Sequence, residues 1–256
     1  MTAISAVIIT FNEERNIARC IKSLQGVVDE IIVWDSFSTD ATPQICKSFD
    51  VHFFQDTWKG YAESKNAAVL KSTHDWILSI DADEALSVEL AESIKQWKQH
   101  APINATIKRK IIYCGKAIAF GDWNPDIKHR IYNKRHTKWH GTIHEVLVSD
   151  LNTEFKTQLL KGNCLHYTYY TLEEHKTQAL RFTNLMIDAK IIQKQRTYWI
   201  SRFLSSGLKW LKGYILKAGF IDGRSGFHIA CISAWAAYQK HKIWYKLQNQ
   251  TLDKTL

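Results

Sequence analysis

Hydrophobic and polar positions divide the chain into two rhythms. Up to about residue 104, short apolar runs at 6–9, 31–34, 51–54 and 76–80 carry mainly Val, Ile and aromatic side chains with little polar alternation. That is the pattern of strands buried on both faces of a parallel sheet. Stretches at helical spacing separate them, at 14–24, 42–49, 61–71 and 87–99. In the first, Ile17, Cys20, Ile21 and Leu24 recur at helical intervals and would turn one face to the sheet. In the last, Ser87 offers an N-cap and Glu89 a carboxylate in the first turn. Strand, helix, strand at this pace predicts βαβ units.

Beyond about residue 105 the rhythm changes. Residues 106–113 read as a longer strand carrying Lys108, Arg109 and Lys110, and a loop-rich stretch with Gly, Trp, His and Asp follows to about 170. Thr171-Leu172-Glu173-Glu174 fits a capping box and opens a helix to about 195. From 196 to 247 further helices are expected, punctuated by Gly207, Gly213, Gly219, Gly223 and Gly226. The fold class expected is α/β, with a mostly parallel central sheet within residues 1–170 and a helical C-terminal extension over 171–256.

Charge sharpens this outline. The 256 residues hold 34 Lys and Arg against 25 Asp and Glu, a formal net charge of +9, which favours an anionic partner. Between Ala189 and Gln250 the single acidic residue is Asp222, while cations alternate with Trp199, Trp210, Trp235 and Trp244. Basic, Trp-bearing helices suit an anionic membrane surface, and equally suit packing against a catalytic domain with a solvated basic face. The five cysteines are scattered, odd in number and never in a Cys-x-x-Cys pair, which fits a reducing compartment. No leader is expected from the opening residues, and no apolar run reaches the ~18 residues of a spanning helix. A cytoplasmic location is expected, with peripheral contact at the inner face of the cytoplasmic membrane as one of the two readings of the basic helices.

The candidate chemistry sits where strands end. The run at 76–80 ends in Asp81-Ala82-Asp83-Glu84. Side chains at i and i+2 of an extended chain point the same way, so Asp81 and Asp83 would project together from the carboxyl edge, where open α/β sheets place ligands. Two hard oxygen donors there suit Mg²⁺ or Mn²⁺; a solvated acidic turn is the alternative. After the first run, Thr10-Phe11-Asn12-Glu13-Glu14 places hydroxyl, amide and carboxylate groups at that edge, able to bind a nucleoside, although Asn12 would also serve as a helix cap. The second run ends in Asp35, followed by Ser36-Phe37-Ser38-Thr39-Asp40, with Asp40, or Thr39, expected to cap the next helix. Lys65 could reach a phosphate or simply be solvated. There is no Gly-x-Gly-x-x-Gly after any run and no Gly-Lys-Ser/Thr phosphate loop. His136, His140 and His144 recur every four residues, but the intervening sequence is poor helix, so no zinc face is expected.

Taken in order, Ile8-Ile9-Thr10-Phe11-Asn12-Glu13-Glu14, Trp34-Asp35-Ser36-Phe37-Ser38-Thr39-Asp40-Ala41-Thr42 and Trp76-Ile77-Leu78-Ser79-Ile80-Asp81-Ala82-Asp83-Glu84 resemble the family 2 inverting glycosyltransferases of GT-A fold. Gly121-Asp122-Trp123-Asn124-Pro125-Asp126, His144-Glu145, Leu165-His166-Tyr167, Lys212-Gly213-Tyr214-Ile215 and Gly219-Phe220-Ile221-Asp222-Gly223 extend the likeness to lipopolysaccharide core β-1,4-glucosyltransferases. The resemblance implies a GT-A catalytic domain over 1–170, its nucleotide-binding half at 1–104 and its acceptor-binding half at 105–170. It implies that Thr10, Asn12, Glu13 and Asp35 hold uridine, that Lys65 and Asp81-Ala82-Asp83 meet the rest of the donor, and that Asp81 and Asp83 hold the metal. Two departures stand out: Ser36 replaces a second acidic residue, and Phe37 stands where glycine is common.

The activity so implied moves glucose from UDP-glucose to a heptose of the lipopolysaccharide or lipooligosaccharide inner core; another donor and acceptor is the alternative. Displacement at the anomeric carbon needs a base for the acceptor hydroxyl. Glu145, beside His144, is expected in that role, with Asp126 as runner-up. Trp123, Arg130 and His144 are expected to meet the acceptor, Arg130 alternatively pairing with a buried carboxylate. A nucleotidyltransferase would call for a Gly-rich basic loop after the first strand, which Thr10–Glu14 lacks. The acidic strand ends argue against nucleic acid as a partner.

Overall fold

The computed structural model describes residues 1–100, 103–141, 145–149, 156–192 and 196–252. It divides into two compact units, Met1–Lys110 with Asp126–Tyr167, and Ile111–Pro125 with Thr168–Leu256.

The first unit begins with β1 (Ile4–Thr10), α1 (Ile17–Leu24), β2 (Glu30–Asp35), α2 (Thr42–Lys47), β3 (His52–Gln55), α3 (Tyr61–Val69), β4 (Trp76–Asp81), β5 (Glu84–Leu86) and α4 (Val88–Trp97). Strands β3, β2, β1 and β4 lie side by side and parallel. The runs in β1, β2 and β4 are buried on both faces, as their composition requires, whereas β3 at the sheet margin is only half-buried. Ile4, Ala6 and Ile8 pack in one cluster with Ile17, Ile21, Leu24, Leu90 and Ile94 of α1 and α4, whereas Val7 and Ile32 pack in another with Ala62 and Ala68 of α3. The face anticipated for α1, Ile17, Cys20, Ile21 and Leu24, is the one buried. Ser87 caps α4, its side chain accepting from the Leu90 backbone N–H at 3.2 Å.

The chain then continues through β6 (Asn104–Tyr113), β7 (Lys116–Ala117), β8 (Asp126–Asn133), β9 (Thr137–His140), β10 (Val146–Ser149) and β11 (Thr157–Tyr169). The strand order along the larger sheet is β3-β2-β1-β4-β8-β6-β11-β5, with β8 joining β4 antiparallel, while β9 and β10 pair in a separate two-stranded sheet. Strands β8 and β11 lie in the stretch expected to be loop-rich. Their sequences, with Lys128, His129 and Arg130 in one and Lys161 and Gly162 in the other, lack a clean apolar alternation. Pairing with β4 and β5 overrides that weak local preference. Gly162 has φ +88°, and a Cβ there would overlap the backbone of Leu90.

The second unit holds β7, α5 (Leu172–Ile192), α6 (Ser201–Trp210), a π-helical turn (Leu211–Leu216), a 3₁₀ turn (Gly219–Asp222) and α7 (Arg224–Leu252). The capping box at the start of α5 forms in both directions: Glu174 N–H donates to Thr171 Oγ1 at 3.1 Å, and Thr171 N–H donates to Glu174 Oε2 at 3.3 Å. Tyr113, Trp123, Tyr169 and His175 form an aromatic cluster here, with His175 stacked 4.6 Å from Tyr169 and its Nδ1 3.0 Å from the Tyr113 hydroxyl. Burial lowers the His175 pKa to about 4. A Cβ on Gly226 would overlap the Gly219 carbonyl, so this glycine is required where two turns touch.

Candidate active site

Parallel pairing sets the ends of the strands level. Thr10 lies opposite Asp35, Asp35 opposite Gln55, and Ile9 opposite Asp81. The edge is therefore a row of polar groups built by register.

The Asp35 carboxylate, expected to face a ligand, is fully buried. Its Oδ2 accepts from Ser38 N–H and from Gln55 Nε2, each at 2.9 Å, and its Oδ1 from Ser38 Oγ at 2.5 Å. Asp35 thus organises the turn after β2 from inside. Asn12, at φ +55°, is not a helix cap. Its Oδ1 accepts from Thr39 N–H at 2.8 Å while its own N–H donates to Ser38 Oγ at 2.7 Å, tying the first loop to the second. Phe37 adopts φ +59°, the left-handed region in which glycine is favoured, which gives the departure at this position its physical meaning. Asp40 does not take the N-cap position of α2, which Ala41 occupies without a side-chain cap; it lies one residue earlier and accepts from Thr42 N–H at 3.0 Å and Glu14 N–H at 3.1 Å. The Thr10 hydroxyl is buried with no hydrogen-bond partner among the described residues, an orphan that a ligand at this edge would satisfy.

Glu13 accepts from Asn16 Nδ2 at 2.7 Å. Burial, with Asp83, Asp40 and Asp81 adding repulsion, raises its pKa to about 7 against the opposing Asn16 bond.

Asp81 and Asp83 have different surroundings. Asp81 lies among cations: Arg130 at 2.7 Å, Lys65 at 3.4 Å and Arg109 at 4.0 Å. Burial pushes its pKa up, but Arg130 and Lys65 outweigh that and hold it well below the usual carboxylate range. Arg130 is 4% exposed and its Nη2 pairs with both Asp81 and the buried Glu84, which matches the second of its two expected roles, pairing with a buried carboxylate. Glu84 also accepts from Arg109 at 3.1 Å and from the Asp81 N–H at 3.0 Å, bracing the turn in which Ala82 is buried. Sequence reading saw Glu84 only as part of an acidic turn. Its burial comes from β5 pairing with β11.

Asp83 instead meets His166, Oδ2 to Nε2 at 3.1 Å. Burial disfavours protonation of His166, but Asp83 outweighs it and the imidazole pKa is raised. Leu165-His166-Tyr167 stood out in the sequence without a role for its histidine. A carboxylate oxygen and an imidazole nitrogen at one partly exposed spot fit a divalent cation that completes its shell with water and phosphate oxygens. Asp81, neutralised by three cations, fits less well. Among the described residues no three His, Cys, Asp or Glu side chains gather as a metal site.

Lys65 is 3% exposed, not solvated. Its Nζ lies 2.9 Å from Glu145 Oε1, 3.4 Å from Asp81 and 4.7 Å from the centre of the Trp139 ring. Asn66 braces the same strand by exchanging hydrogen bonds with the Trp139 backbone at 2.8 and 3.0 Å. Glu145, 80 residues from Lys65 in sequence, is thereby linked to the Asp81-Ala82-Asp83 edge. Asp126 is engaged otherwise: Arg109 grips it through Nε at 2.7 Å and Nη2 at 2.5 Å, with Lys128 at 3.5 Å. Trp123 belongs to the second unit and packs in its aromatic cluster. His144 lies outside the described residues. His136 and His140 flank or lie on a strand, not a helix.

Comparison with known proteins gives this edge a context. An uncharacterized glycosyltransferase of Rickettsia typhi is 34% identical over 252 residues, covering 93% of this chain and 85% of that protein. The lipopolysaccharide core biosynthesis glycosyltransferase LpsC of Rhizobium meliloti is 24% identical over 258 residues, covering 94% and 93%. Among solved structures, S. aureus TarS 1-349 in complex with UDP-GlcNAc aligns over 94% of this chain and 92% of its own with a TM-score of 0.47 at 13% identity. The model of the family described as glycosyl transferase family 2 matches residues 5–150, more than half of the sequence, and with the rickettsial likeness along nearly the whole chain this protein belongs to that family of enzymes.

Proposed function

We propose that this glycosyltransferase moves a sugar, glucose from UDP-glucose, with inversion to a heptose of the lipopolysaccharide inner core, with Glu145 as the general base. The observation that carries the mechanism is the buried Lys65 joining Glu145 to Asp81. A carboxylate fixed at the donor edge can take the proton of an attacking hydroxyl, and such catalysis contributes ~10²–10⁴-fold. Asp126 is the weaker candidate, because both its oxygens lie within reach of cations.

Thr10 would meet the nucleoside through its orphaned hydroxyl, while Asn12 and Asp35 hold the loops that surround it. Asp83 and His166 would hold Mn²⁺ or Mg²⁺, which when bound neutralises charge on the leaving diphosphate. The likeness to LpsC supports the lipopolysaccharide core as the acceptor class. A family 2 enzyme using another donor and acceptor is the second reading.

Titration with UDP, UDP-glucose and UDP-GlcNAc, with and without Mn²⁺, tests the donor. Binding of UDP that chelator weakens, and that Asp83→Ala reduces ~100-fold, is expected. Glu145→Gln should keep UDP affinity within about threefold and lose ~10³-fold in kcat. Normal transfer by Glu145→Gln alongside inactive Asp126→Asn would exchange the two roles.

A further inference from the structure

Helix α6 turns its apolar side outward. Ile200, Leu204, Leu208, Leu211 and Ile215 follow one another at steps of four, four, three and four, the spacing of a single helical face. In a helix that packs on a core this stripe is buried. Here all five are exposed, Leu204 to 61% and Leu208 to 56%, and no residue of α6 is buried. Phe203, Leu216, Phe220 and Ile221 add further exposed apolar area to the same stretch, with Leu216 at 73%. A run of this size is well beyond the scattered exposed hydrophobes of an ordinary surface.

The charge around it is mainly positive. Arg196, Lys209, Lys212, Lys217 and Arg224 are exposed through the same stretch. Asp222, the sole acidic residue from 189 to 250, is buried and occupied by the backbone N–H groups of Ala119 and Phe120 at 3.2 and 2.9 Å. Asp122 pairs with two of this set, Lys209 and Lys217, at 2.7 and 3.3 Å. An open groove of about 630 Å³ borders the stripe, lined by Met186, Leu204, Leu208, Ala236, Ala237 and Lys240 among others.

We infer that α6 and the turns after it form a docking face for a bilayer containing anionic lipid. Apolar side chains enter the headgroup–acyl boundary, cations meet the phosphates, and the groove receives part of an acyl chain. A second copy of this chain would oppose cation to cation, whereas an anionic bilayer complements both the apolar stripe and the charge. No helix among the described residues is long and apolar enough to cross a membrane, so the contact is peripheral. The inference stands apart from the donor and acceptor proposed above.

The test is flotation of the full chain with vesicles of phosphatidylcholine alone and of phosphatidylcholine with ~30% phosphatidylglycerol, at ~50 and ~500 mM salt. The chain should float with the anionic vesicles only, and less at high salt. Leu204→Gln with Leu208→Gln should weaken partition at least ~10-fold while UDP affinity, measured in the same preparation, stays unchanged. Lys209→Gln with Lys212→Gln should reduce the preference for anionic over neutral vesicles. Equal partition of wild type and the leucine double variant overturns the inference. So does failure to float combined with a dimer, seen by light scattering, that the leucine variant dissociates.

Discussion

The two units handle similar side chains in opposite ways. In the first, Ile17 and Ile21 of α1 form a stripe that is wholly buried against β1 and its neighbours. In the second, Leu204 and Leu208 of α6 form a stripe of the same periodicity that lies open. Periodicity states that a helix has an apolar side; it does not state what covers that side. Titratable groups divide similarly. Glu13 in the first unit and His175 in the second are both deprived of water, yet burial moves their pKa values in opposite directions, to about 7 and about 4, because it penalises whichever form is charged.

The contrast is most sharply broken by truncation. Ile21→Ala should cost ~2–4 kcal/mol, since it empties a fully buried site, whereas Leu204→Ala should stay within ~0.5 kcal/mol. Chemical denaturation measures both, and comparable losses would mean that α6 is packed after all.

A smaller effect is expected from pH, with opposite signs in the two units. Below pH 6.5 the unfolded chain protonates His175 while the folded chain refuses the proton until about pH 4, so this group removes stability as pH falls through that window. His175→Gln should therefore flatten the acid limb of the second unit by ~2 kcal/mol between pH 6.5 and 4. Glu13 has the reverse sign. Its folded pKa of about 7 lies above its ordinary 4.5, so the folded state holds the extra proton and stability is lost as pH rises from 4.5 to 7. Glu13→Gln should raise the unfolding free energy at pH 8 relative to pH 5, by ~1 kcal/mol after screening by solvent. Melting curves across pH check both, and parallel slopes would erase the distinction.

Legibility follows the same division between local and distant causes. The strand ends, the Ser87 cap and the Thr171 capping box were readable because each depends on residues at most a few positions apart. Strands β8 and β11 were not, because their charged sequences become strands only by pairing with β4 and β5. At the candidate site, the acidic motif at 81–83 and Glu145 were visible as residues, but their surroundings were not. Arg130 meets Asp81 across 49 positions, His166 meets Asp83 across 83, and Lys65 meets Glu145 across 80.

Sequence by itself determined that parallel strands would end in carboxylates at one rim, since short-range periodicity and apolar composition settle where strands run and stop. Tertiary structure alone decided what each carboxylate does: Asp35 was drawn inside, Asp81 surrounded by cations, Asp83 set against an imidazole and Asp126 gripped by Arg109. The reason is that a carboxylate's properties come from charges and donors within a few ångströms. Here those neighbours are brought by strands and helices remote along the chain.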